Sequence, residues 1–199
     1  MGDAPLIGNS CDDTGGDCKN GDPNHDNLLT TAQYSAEAVW AAQEAAQNQA
    51  NDAGQDQGGR VFRNGDLTRT RHYLSRSREM RLVMRAFKNG HYHVVIIHDG
   101  RDRYDPETKT VYWDPYSALE TTEGGHQTPA LGLGHEMAHA VGNPHETAVL
   151  HDTPDEQYGN KEERRVILNY ENPAARELGE STRSDHAGTP YEVDCPTCK

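Results

Sequence analysis

The stretch Ala130 to Val141, ALGLGHEMAHAV, leaves the chain the least conformational choice. Thr128 followed by Pro129 reads as a helix start, an N-cap residue with proline in the first turn. Gly142 and then Pro144 read as its stop. The side chains between are apolar nearly all round, so the helix is expected to be buried. Within it lies His135-Glu136-Met137-Ala138-His139. Residues four apart on a helix share one face, so both imidazoles can reach one Zn²⁺ at about 2.0–2.1 Å. Glu136 follows the first histidine and is placed to take a proton from water at the metal. The competing explanation is a pair of core histidines bonded to backbone. It does not account for the motif's central place on a capped, apolar helix, where polar groups must be satisfied.

A catalytic zinc site uses three protein ligands and one open position. Two residues compete for third place. His145 completes a literal H-E-x-x-H-x-x-G-x-x-H, the metzincin pattern, with Gly142 turning the chain back. That pattern also needs a methionine turn downstream, and the methionines are Met1, Met80, Met84 and Met137. Glu163 is the other. Asn160 can cap a helix through KEERRVILNY in which Glu163, Val166, Ile167 and Tyr170 share a face. Glu162 shares that face less well, and Glu163 also suits a capping box.

Around this centre the sequence predicts an α+β domain, with an antiparallel sheet packed on the motif helix. The runs 80–87 and 91–98, separated by Lys88-Asn89-Gly90, read as a hairpin, and Lys109 to Trp113 as a third strand closed by Asp114-Pro115. Residues 1–27 are rich in Gly, Asp and Asn and read as a flexible arm. Residues 28–52 read as a weakly amphipathic helix that opens the domain, and Asp52 to Gly59 as a linker. The domain then runs from 28 to 194, with 195–199 as a CxxC tail.

Charge narrows the partners. The chain carries 19 Lys and Arg against 32 Asp and Glu, a net charge of −13, which argues against nucleic acid as main partner. Residues 60–103 are locally basic; Arg81, Arg85 and their neighbours are read as solvated strand residues or as a face that recruits an acidic protein. No apolar stretch is long enough to span a bilayer, and no secretory signal opens the chain. The cysteines, Cys11, Cys18, Cys195 and Cys198, are read as peripheral disulfides or free thiols.

The stretches YDPETKTVYWDP, TPALGLGHEMAHA, NKEERRVILNYENPAARELGE and Arg183-Ser184-Asp185-His186-Ala187-Gly188 together resemble the NleD-like effector zinc metallopeptidase family and related metallopeptidase modules of bacterial polymorphic toxins. The resemblance covers about residues 90 to 192. It implies a zincin-type peptidase that is secreted or injected into a target cell, where it cuts a protein substrate. A cognate immunity protein would be a further partner if the target is a competing bacterium. Carried over by position, it makes His135 and His139 metal ligands and Glu136 the catalytic carboxylate, and it favours Glu163 over His145 as third ligand.

Peptide hydrolysis also needs a donor to the developing oxyanion, for which Tyr170, Arg183 and His186 are candidates. A substrate could add a strand along Thr110 to Trp113. The alternatives are a binding domain in which zinc only staples the fold, a zinc hydrolase of a non-peptide amide, and a thiol redox protein using Cys195 and Cys198.

Overall fold

The computed structural model describes residues 65–199, all within a unit spanning Trp40–Lys199. The arm, the helix expected over 28–52, the linker, Cys11 and Cys18 lie outside the described residues. Those described form an α+β fold. In chain order they are α1 (Asp66–Leu74), α2 (Arg78–Asn89), β1 (His93–Ile96), β2 (Arg103–Asp105), β3 (Thr110–Trp113), β4 (Ser117–Thr121), β5 (His126–Gln127), α3 (Pro129–His139), α4 (Pro144–His151), β6 (Pro154–Asp155), β7 (Gly159–Asn160), α5 (Lys161–Val166), a π turn (Ile167–Glu171), α6 (Asn172–Leu178) and β8 (Gly188–Glu192). Three small sheets have the orders β1-β3-β2, β5-β4-β8 and β6-β7. No described helix is long and apolar enough to cross a membrane.

Two expectations fail here. Residues 80–87 are not a strand but most of α2. Ser77 caps this helix by accepting from Met80 N–H, and Met80, Val83 and Phe87 are its buried face. The spacing of those residues is helical, and it outweighs the β-propensity of the run. Gly90 has φ −79°, not the positive φ that an Asn-Gly hairpin turn requires. Arg81 and Arg85 are therefore exposed helix residues. The second failure is the sheet. β3 is its central strand, paired with β1 in parallel and with β2 antiparallel. Both edges of Thr110–Trp113 are taken, so no substrate adds a strand there.

Helix α3 is packed against α1, α2, β2, β3, β4 and the π turn. It starts as read: Thr128 caps it by accepting from Leu131 N–H, with Pro129 in the first turn. Glu180 fixes the cap in turn, accepting from Thr128 N–H (2.6 Å) and from the Thr128 hydroxyl (2.9 Å). The Trp113 indole donates to Pro129 O (2.8 Å). A Cβ on Gly134 would meet Met80 Sδ at 2.5 Å, so this glycine lets α2 approach α3 closely. Cys195 and Cys198 form a disulfide, and the carbonyl of buried Pro196 accepts from Ala130 N–H at 2.8 Å, satisfying an otherwise orphaned donor at the start of α3.

The second layer of the site is one helical run, α5, the π turn and α6. Asn160 caps it by accepting from Glu163 N–H. The run widens at Ile167–Glu171, where Asn172 N–H reaches back to Ile167 O. Pro173 lies just beyond and has no N–H to offer a carbonyl four residues earlier. Residues eight apart in an unbroken α-helix are about 80° out of register. The wider turn takes up part of that offset, and Glu163 and Glu171 both face α3.

Candidate metal centre

His135 and His139 stand one turn apart on α3, with Nε2 atoms 3.1 Å from each other. Glu163 Oε2, brought in by α5, lies 3.2 Å from His135 Nε2 and 3.4 Å from His139 Nε2. A third imidazole, His186 from the loop before β8, places its Nε2 3.3 Å from the same oxygen. Three ring nitrogens thus converge on one carboxylate oxygen. That oxygen is buried, and none of these contacts has hydrogen-bond geometry. Ligand atoms of His135, Glu163 and His186 all lie within 4.8 Å of one another, a group able to hold a metal ion. Nitrogen and carboxylate donors suit zinc among other divalent ions.

The far side of each α3 histidine is held by a carboxylate. Glu171 Oε2 accepts from His135 Nδ1 at 2.6 Å, and Glu162 Oε1 is 3.2 Å from His139 Nδ1. Metal-ligating histidines characteristically have such a partner, which fixes the ring and leaves Nε2 free for the ion. Both carboxylates are fixed in turn. Arg183 reaches Glu171 through Nε and an Nη atom, each at 2.8 Å, and Gln127 donates to it at 2.8 Å. Arg165 grips Glu162 through Nε at 2.7 Å and a second guanidinium nitrogen, and also donates to Ala138 O at the end of α3 (3.0 Å). No carboxylate lies within ion-pair distance of His186 Nδ1 among the described residues, and this ring is 47 % exposed.

The electrostatics follow from burial and these contacts. Burial opposes charge on His135, but the Glu163 and Glu171 carboxylates outweigh it and lift its pKa to about 10. Burial raises Glu171, yet His135 and Arg183 bring it down to about 2. Burial also lifts Glu136, with the two histidines partly offsetting the shift. Glu136 therefore combines a raised proton affinity with a place beside the donor set.

Two hollows meet at this centre. The larger, about 500 Å³, is bounded by Tyr92, Tyr104, Pro106, His139, Ala148 and Glu163 among others. The smaller, about 230 Å³, is bounded by residues of β4, α3 and β8, with His135 and Arg183. Asp102, Glu136 and His186 line both.

The structure thus brings together His135, Glu136, His139, Glu163 and His186. It does not bring in His145, which is exposed in the first turn of α4, where Asn143 caps its backbone N–H. Tyr170 packs against the core under Arg165 and lines neither hollow. Arg183 is committed to Glu171. The sequence reading assigned no role to Glu171 or Asp102. Compared with known proteins, the chain matches no family model, no curated protein and no solved structure.

Proposed function

We propose that this chain is a zinc-dependent endopeptidase with a zincin-like domain, of the NleD-like effector kind, secreted or injected to hydrolyse a protein substrate in a target cell. The observation that carries the reading is the convergence of His135, His139 and His186 on Glu163 Oε2, with Glu136 lining both adjoining hollows. His135, His139 and Glu163 would hold the ion. The ion would supply Lewis-acid polarisation of the scissile carbonyl and would lower the pKa of water at the site. Glu136 takes the water's proton and passes it to the leaving amine. His186, half-exposed and facing both hollows, donates from Nε2 to the developing oxyanion.

A second reading has one observation in its favour. If His186 joins the other three as a fourth ligand, the site is closed and the ion is a staple. The missing carboxylate behind His186 and its exposure favour the substrate-facing role.

The test measures bound metal and cleavage of a defined peptide library side by side. Glu136→Gln should keep the ion and lose at least about 100-fold in rate. Glu163→Ala should lose the ion, and His145→Ala should change neither. Full cleavage by Glu136→Gln, or wild-type protein with no affinity for zinc, rejects the proposal.

A further inference from the structure

Asp102 is a carboxyl that the fold holds where the two hollows meet. Its Oδ1 accepts from Asp114 N–H at 2.7 Å. Asp114 in turn accepts from Gly100 N–H (3.1 Å) and Tyr116 N–H (3.0 Å), so the loop carrying Asp102 is tied at both ends. Its Oδ2 lies over Gly132 on α3, where a Cβ would sit 3.0 Å away. Gly132 is one turn before Glu136 on the same face. The helix thus accepts a glycine, worth about 1 kcal/mol against alanine, where this carboxyl approaches.

The His135 imidazole offsets only part of a charge on Asp102. No cation lies within salt-bridge distance of Asp102 among the described residues. The flanking Arg103 stacks over Tyr112, 4.2 Å from the ring centroid, and donates to Arg101 O. Glu162 and Glu171 already have their arginines, and Glu163 faces the histidines. Burial and the nearby Glu136 and Asp114 charges raise Asp102 to about 8, against the Asp114 N–H and the His135 imidazole. A carboxyl that is anchored through one oxygen, has no ion-pair partner and stands at the junction of two hollows marks a place for ligand charge.

We propose that Asp102 is a specificity-determining residue that binds a cationic nitrogen of the substrate beside the scissile bond. The inference rests on the endopeptidase reading and names its substrate chemistry: a peptide with an ammonium or guanidinium group at this point. The cation can come from a Lys or Arg side chain or from a free amino terminus.

The test uses zinc-loaded full-length protein and three hydroxamates as probes, read by calorimetric binding. Nα-acetyl-lysine hydroxamate against Nα-acetyl-norleucine hydroxamate isolates the side-chain cation. Norleucine hydroxamate with and without the acetyl group isolates the amino terminus. Wild type should favour one cationic probe over its neutral partner by about 10- to 100-fold. Asp102→Asn keeps an acceptor for Asp114 N–H, so it should fold, and its ratio should fall towards one. Gly132→Ala leaves Asp102 in the chain but displaces its carboxyl, and should lower the ratio as well. Hydroxamates that bind with no preference for either cation, or a preference unchanged in Asp102→Asn, overturn the inference and leave the endopeptidase reading standing. Zinc-loaded protein that binds no hydroxamate at all overturns both.

Discussion

Glu171 Oε2 sits 2.6 Å from His135 Nδ1, and both side chains are buried. This contact occupies Nδ1 of His135 and leaves Nε2 towards Glu163. It also makes a residue from a different helix answerable for the donor strength of α3. Arg183 and Gln127 complete the support, so the geometry of one imidazole depends on three further elements.

Removing that support should weaken the site without touching a ligand. Glu171→Gln is expected to lower zinc affinity about 10- to 100-fold, measured by competition with a chromophoric chelator. An affinity unchanged in this variant would mean that His135 does not need its carboxylate.

His139 and His186 should separate. His139→Ala should lose the ion, and His186→Ala should retain it while losing rate. Metal analysis after gel filtration, paired with peptide cleavage, reads both. Loss of metal in His186→Ala would make that residue a ligand and favour the staple reading.

Metal removal should cost stability by mass action. An ion that binds only the folded state adds about 2.7 kcal/mol when its free concentration is 100 times its Kd. Chelation should therefore lower Tm by several degrees, and zinc should restore it. Glu163→Ala should show neither the loss nor the recovery.

Asp102 gives a pH prediction in metal-free protein. Its folded-state pKa is raised from 3.8 to about 8. Between these values the unfolded chain releases a proton that the folded chain keeps, so the carboxyl penalises folding increasingly from about pH 4 to about pH 8 and fully above that. Asp102→Asn should raise Tm by several degrees at pH 9 and by little near pH 4. Melting curves across that range check it; a pH-independent difference would contradict the shift.

Gly134→Ala tests the packing of α2 on α3. The added Cβ would meet Met80 Sδ, and a loss of about 1–3 kcal/mol is expected from overpacking. Chemical denaturation measures it. If residues 80–87 were a strand remote from α3, helix propensity would make the same change neutral or favourable.

What the sequence disclosed depended on whether a signal was local. The α3 cap and the His135–Glu136–His139 spacing follow from helical period within one element and could be read directly, whereas the residues alone left Glu163 and His145 in competition. Residues 80–87 misled because Val83, Phe87 and their neighbours favour strands as single residues while their spacing is helical. The parallel pairing of β1 with β3 depends on tertiary packing, which no local run reports. Glu171 was hidden by the π turn, since α-helical register carries it off the Glu163 face; Pro173 within a helical stretch was the available warning. Asp102, in the loop before β2, belongs to no periodic pattern and becomes visible only when Gly132 is seen beneath it.

The widened turn at Ile167–Glu171 amounts to a single residue's worth of gearing. Delete one position between 167 and 170, and everything downstream swings about 100° round the helix axis. Glu163 would still face His135 and His139, but the acid behind His135 would turn away, carrying the Arg183 anchorage with it. Chains of this design are thus expected to tolerate substitution in that segment far better than any change in its length.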